Sequence, residues 1–143
     1  MNDFTTVISV EQSPAEVFAA VTHVDKWWSR KITGGSSKQG DEFSYRYKDI
    51  HFSKQKLTEV VPNEKVVWLV TEAQLNFTKD KTEWNGTEIS FEILPKGKKT
   101  ELRFTHHGLT EARECFKECS NAWGFYVNDS LRSLITTGEG KPD

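Results

Sequence analysis

Hydrophobic and polar residues alternate near the start of the chain. Phe4, Thr6, Ile8 and Val10 fall on one side and Thr5, Val7 and Ser9 on the other, which is the period of a β-strand. The pattern breaks at Ser13-Pro14-Ala15-Glu16. Serine at the N-cap, proline in the first helical position and glutamate three residues after the cap together satisfy or remove the unpaired amides of a first helical turn. Val17, Phe18, Val21 and Val24 then share one face of a short helix, which leads into a second helical turn carrying Asp25-Lys26-Trp27-Trp28. A loop containing Gly34, Gly35, Ser36, Ser37 and Gly40 ends this section.

From Asp41 the period returns to two, with Phe43, Tyr45 and Tyr47 on one face and further strands expected over residues 51–61, 64–71, 87–94 and 100–107. Asp49-Ile50, Pro62-Asn63 and Lys96-Gly97-Lys98 read as hairpin turns, so the sheet is expected to be an antiparallel meander. The polar stretch 72–86 reads as an extended hairpin tip or an irregular strand. The last pattern is helical: Ala112, Cys115, Phe116, Cys119, Trp123, Tyr126, Val127, Leu131 and Leu134 recur at spacings of three and four. Thr110 is the expected N-cap and Gly138 the expected residue just past the end. A helix over 111–137 would span about 40 Å, enough to lie across a small sheet. These elements predict one α+β domain.

The adjacent tryptophans raise a packing question. Neighbours in a helix point about 100° apart, so one core seldom takes both rings by the same route. If one of Trp27 and Trp28 is core, the other needs a second role. Composition sharpens this, because a chain of 143 residues with only 36% hydrophobic residues carries nine Phe, five Trp and three Tyr. Much of its buried area must be aromatic.

A formal charge of −2 and dispersed Lys and Arg give no electrostatic footprint for nucleic acid or an anionic membrane. No apolar run reaches the roughly 18 residues of a membrane-spanning helix, and the N-terminus lacks a signal-peptide layout, so no membrane insertion and a cytoplasmic location are expected. Cys115 and Cys119 lie one helical turn apart with side chains running side by side, which predicts free thiols.

Candidate chemistry is sparse. Period two puts His106 on the face of Leu102 and Phe104 and His107 on the polar face. An inward imidazole is more often a hydrogen-bonded core group than a catalyst, and His106 is expected to be a polar group lining a pocket. A zinc site from His106, His107, Cys115 and Cys119 is disfavoured, because adjacent strand histidines diverge. The common nucleophile, phosphate-loop and dinucleotide signatures are absent, so neither catalytic residues nor a metal or organic cofactor are expected. Glu42, Glu59, Glu64, Glu83, Glu92 and Glu101 are expected at strand edges or facing water. What remains is an inward aromatic set: Phe43, Tyr45, Tyr47, Trp68, Phe91, Phe104, Trp123 and Tyr126, with Trp27 or Trp28. Such a set reads either as ordinary core or as the lining of a cavity. A curved sheet spanned by one helix meets it fully along only part of its length, which favours a cavity for a small apolar or aromatic ligand.

The order strand, two short helices, long antiparallel sheet and long C-terminal helix resembles the helix-grip fold of the START-like (SRPBCC) superfamily. Local motifs narrow the resemblance: Ser13 to Phe18 with Trp27-Trp28, Val60 to Trp68, Gly86-Thr87-Glu88-Ile89, Thr100-Glu101-Leu102 through His106-His107-Gly108-Leu109, and Trp123 with Ser130-Leu131 and Gly138. Together they resemble the branch related to the C-terminal domain of the activator of Hsp90 ATPase. The resemblance implies a cavity between the sheet and the C-terminal helix, lined by the aromatic set with His106 and Val127, and one of Trp27 and Trp28 half wet at its rim. Members of the superfamily bind lipids, sterols, polyketides or plant hormones, and some are enzymes of the cyclase or hydrolase kind. In an enzyme of that kind, His106 or a cavity tyrosine would polarise a carbonyl. A chaperone partner is the third implication. It ranks below ligand binding, because the eukaryotic co-chaperone also depends on a separate N-terminal domain for which these 143 residues leave no room.

Overall fold

The computed structural model describes residues 3–76, 78–79 and 81–142. The first strand, β1 (Phe4–Val10), buries Ile8 and Val10 and exposes Thr5, Val7 and Ser9, as its alternation requires. The capping box forms at the start of α1 (Pro14–Thr22): the Ser13 hydroxyl accepts from the Glu16 amide at 3.2 Å, and Glu16 Oε1 accepts from the Ser13 amide at 3.3 Å. A single further turn, α2 (Val24–Trp27), follows.

The sheet continues through β2 (Thr33–Gly34), β3 (Glu42–Tyr47), β4 (His51–Val61), β5 (Lys65–Leu75), β6 (Glu88–Lys96) and β7 (Lys99–His107). Every pairing is antiparallel and the spatial order is β1-β7-β6-β5-β4-β3-β2, so β1 closes against the last strand and the rest is a meander. The expected turns are present. Asn63 at φ 65° and Gly97 at φ 64° take the left-handed conformation that such tight connections need. Two register shifts between β4 and β5, at Lys54/Gln55 and Leu57/Glu59, add local twist and curve the sheet. Strand β5 runs to Leu75, farther than the sequence period indicated, and residues 81–86 form turns.

The C-terminal helix differs from the uniform α-helix expected over 111–137. It comprises α3 (Phe116–Trp123), a π-helical middle (Gly124–Leu131) and α4 (Arg132–Thr137), together 22 residues. Its buried residues explain the change of winding: Cys115, Cys119, Trp123, Val127, Leu131 and Ile135 recur every four residues. In an α-helix of about 100° per residue, each four-residue step overshoots a full turn by about 40°, so such a stripe drifts around the helix. The wider π turn undershoots on the same step, so the central segment turns the stripe back toward the sheet. Thr110 does not cap this helix. The N-cap is Cys115, without a side-chain capping bond, and the carboxylate of Glu83 accepts from the amides of Glu114 at 2.9 Å and Cys115 at 3.2 Å. Gly138 ends the helix as expected, left-handed at φ 87°, its amide bonded to the Leu134 carbonyl.

Both Trp27 and Trp28 are buried, which corrects the expectation that one would be half wet. The reason is tertiary. Trp28, the C-cap of α2, stays right-handed with φ −94° and ψ −65° and its amide bonds to the Val24 carbonyl, yet its ring finds cover on Tyr45, Trp68 and Trp123. The sheet and the π segment enclose this corner from two sides. Ser130 donates to the Trp27 carbonyl at 2.6 Å and accepts from the Lys141 amide at 2.7 Å. At Gly140 a Cβ would collide with the Lys26 carbonyl, so only glycine lets the tail cross so close to α2.

The capping box gives a direct stability test. Ser13→Ala should cost about 1 kcal/mol in urea unfolding, with the denaturant slope unchanged.

Candidate functional site

Between the β3–β4 hairpin and the first half of the C-terminal helix lies an open pocket of about 300 Å³. The hairpin contributes Tyr45, Tyr47, Ile50 and His51. The helix contributes Glu118, Cys119, Ala122, Trp123 and Tyr126, and the inner wall is made by Trp28 and Trp84. Stacked and tilted rings build these walls. Trp28 stacks on Tyr45 at 4.4 Å and leans on Trp123 at 4.9 Å, while Trp84 stacks on Trp123 at 5.9 Å and meets His51 edge-on at 4.6 Å.

Five of the aromatic residues singled out in the sequence meet at this pocket: Trp28, Tyr45, Tyr47, Trp123 and Tyr126. Tyr47 reaches it from the exposed side. Trp27, Phe43, Trp68, Phe91, Phe104 and Val127 lie elsewhere, packed solidly between sheet and helix. There Trp68 meets Phe91 at 4.8 Å, Phe91 meets Phe104 at 5.2 Å, and Phe104 meets Trp123 at 4.7 Å. This pocket thus lies at one end of the sheet–helix interface.

His106 is inward, as its strand position required, but it does not line the pocket. The Trp123 indole, which can only donate, is 3.1 Å from Nδ1, so the ring proton sits on Nε2 and is donated to the Thr87 hydroxyl at 2.9 Å. That hydroxyl in turn donates to the Trp84 carbonyl at 2.6 Å. Burial, reinforced by the neighbouring His107, pushes the His106 pKa down to about 3. A neutral imidazole with both nitrogens occupied is a structural hub joining β7, the helix and the Trp84 loop, and it is in no position to act on a pocket ligand. His107 faces away, its Nε2 3.0 Å from the Ser90 hydroxyl and its Nδ1 3.4 Å from an Asp3 carboxylate oxygen.

Three further residues escaped the sequence reading. Trp84 sits in a polar stretch with no period to assign it a face, yet it is buried and donates to Cys115 Sγ at 3.4 Å. A large ring in such a stretch was the available signal. Glu83, expected to face water, is buried because its carboxylate supplies the acceptors that the helix start lacks. His51, at the start of β4, carried no signal beyond its strand position. The thiols of Cys115 and Cys119 are free, as expected, and buried. Their mutual hydrogen bond lowers the Cys115 pKa, and together with burial it holds Cys119 protonated. Among the described residues, no group of three or more His, Cys, Asp or Glu could hold a metal ion.

Comparison with known proteins adds a family-level result. The family model described as activator of Hsp90 ATPase homolog 1-like protein matches residues 11–136. No curated protein matches the chain. The solution structure of the Aha1 dimer from Colwellia psychrerythraea superposes with a TM-score of 0.76 at 27% identity, covering 98% of this chain and 100% of that one. DynU16, a protein of the dynemicin biosynthetic locus, gives a TM-score of 0.72 at 15% identity over 98% of this chain and 49% of its own. CalU16 from Micromonospora echinospora gives 0.65 at 14% identity, covering 94% of this chain and 76% of that one. The last two likenesses show the helix-grip fold alone.

The low His106 pKa makes stability depend on pH with a defined sign. Above about pH 6.5 the imidazole is neutral in both states; below it the unfolded chain takes up a proton that the folded chain refuses down to about pH 3. Stability should therefore fall on acidification, by about 2 kcal/mol from this group between pH 7 and 5. Urea unfolding of a His106→Gln variant should show lower stability at pH 7 but a smaller loss between those two pH values.

Proposed function

Because the chain belongs to the family of activator of Hsp90 ATPase homolog 1-like proteins, we propose that it is a single-domain, cytoplasmic binding protein. Its ligand is small and mostly apolar, and it is held between the β3–β4 hairpin and the C-terminal helix. The observation that carries this reading is an open pocket of about 300 Å³ walled by the rings of Trp28, Tyr45, Trp84, Trp123 and Tyr126. That volume stands at the small end of ligand sites and suits a two-ring aromatic or a short acyl chain. Free thiols accord with a reducing compartment.

The walls act by desolvation and shape. Each ring or aliphatic segment of the ligand that leaves water contributes about 1.5–3 kcal/mol before ordering costs, which leads to affinities on the order of micromolar. Exposed polar groups stand at the edge of the pocket: Glu118 on the helix and Tyr47 on the hairpin. They give a ligand's polar end a wet side to face. A cyclase-like role built on His106 loses its basis, since both ring nitrogens are engaged away from the pocket.

A second reading, a chaperone-directed interaction module, draws on the exposed Tyr47 and Ile50 at the pocket mouth and on Phe125, whose ring is 5.5 Å from Tyr126. Affinity capture that recovers no chaperone removes it.

Titration with two-ring aromatic and short acyl compounds should change tryptophan fluorescence and raise Tm. Ala122→Trp, which fills the pocket from the helix side, should weaken binding at least tenfold while the protein stays folded. A flat response across a broad panel would count against the ligand-binding reading.

A further inference from the structure

An indole nitrogen can only donate, so each of the five tryptophans needs an acceptor once its ring leaves water. Four of these N–H groups are closed to a ligand. Trp27 donates to the Val21 carbonyl at 3.2 Å, Trp84 to Cys115 Sγ at 3.4 Å and Trp123 to His106 Nδ1 at 3.1 Å. The Trp68 N–H is sealed in the solid core without a partner among the described residues. Trp28 differs from all four. Its N–H makes no hydrogen bond to a described residue, yet it is not among the sealed atoms. The residue keeps only 2% of its surface exposed, the N–H belongs to that remainder, and Trp28 lines the pocket.

The packing of the ring explains which part of it a ligand meets. Trp28 stands between Tyr45 of β3 and Trp68 of β5, stacked on the first at 4.4 Å and, nearly parallel, on the second at 5.8 Å. Its faces are used in this way, so it offers the pocket an edge, and the polar atom of an indole edge is Nε1. Charge narrows what can answer that N–H. Glu118 is the only acidic residue among the described walls, no lysine or arginine lines them, and the imidazole of His51 is packed edge-on against Tyr45 and Trp84. An anion would leave water to meet a carboxylate and one neutral donor, which is a poor exchange.

We propose that the Trp28 N–H is the polar anchor of the pocket and that the ligand is an aromatic compound carrying a neutral acceptor oxygen, in the simplest case a ketone, at the end that points inward. An apolar group covering this N–H takes it from water and returns no hydrogen bond, whereas a carbonyl oxygen in the same place restores one. The inference rests on the ligand-binding reading above and adds the chemical class and the residue that selects it. Trp28 thus has two roles: its faces hold the sheet and helix together, and its edge sets specificity.

The test compares 2-acetylnaphthalene with 2-isopropenylnaphthalene, which share a shape and differ by a carbonyl oxygen in place of a methylene, and adds 2-naphthoate as the anion. Calorimetric titration of wild type should favour the ketone over the alkene about fivefold or more and over the anion as well. In the ¹⁵N-edited spectrum of wild type the ketone, and not the alkene, should move the Trp28 indole proton downfield, a readout that needs no variant. Trp28→Phe, where it folds, should bind ketone and alkene within about twofold of each other. Equal affinity for ketone and alkene in wild type overturns the proposal while the pocket reading stands. A ketone preference without the downfield shift of the Trp28 proton, or tighter binding of 2-naphthoate than of the ketone, also overturns it. Binding of none of the three overturns it together with the ligand-binding reading.

Discussion

The Trp28 indole is wedged where the sheet, the short second helix and the C-terminal helix converge. It stacks on Tyr45 and Trp68 from the sheet and leans on Trp123 from the helix, so it fixes how closely the helix approaches β3 and β5. On the Trp27 side the interface is solid with Trp68 and Phe91. Toward the β3–β4 hairpin the pocket begins. The hollow and the core are thus two sides of one packing decision.

Two other features hold that geometry. The π-helical segment keeps a four-residue stripe of buried side chains turned toward the sheet, which carries Trp123, Val127 and Leu131 inward together. The His106 relay, from Trp123 through the imidazole to Thr87 and the Trp84 carbonyl, locks the helix to β7 and to the loop that bears Trp84. Pocket walls on two separate elements, the helix and the loop that bears Trp84, are therefore tied through β7 by hydrogen bonds that a ligand need not break. Preorganisation of this kind lowers the ordering cost of binding.

Much of the fold was legible in the sequence because its signals are local. The capping box at Ser13, the period-two strands, the turn residues and Gly138 each act within a few positions, and their order carries the helix-grip topology. The site was legible in part. Period two placed Tyr45 and His106 correctly on the inward face but could not say that one meets open space and the other a closed relay, since that depends on where the helix touches the sheet. Trp84 and Glu83 were missed because a loop has no period. Trp28 was misjudged because its cover comes from the sheet and the C-terminal helix, which helical spacing alone does not reveal. The π segment was hidden because spacings of three and four suit an α-helix, and only the buried stripe at strict fours betrays the different winding.

The central claim is that a small ligand enters between the β3–β4 hairpin and the helix and rests on Trp28. The most direct measurement is the nuclear magnetic resonance of the five tryptophan indole N–H groups during titration with 2-naphthol. Trp28, Trp84 and Trp123 should shift with a common dissociation constant, while Trp27, bonded to the Val21 carbonyl in the solid core, stays in place. Shifts confined to Trp27, or none at saturating ligand, would contradict the account.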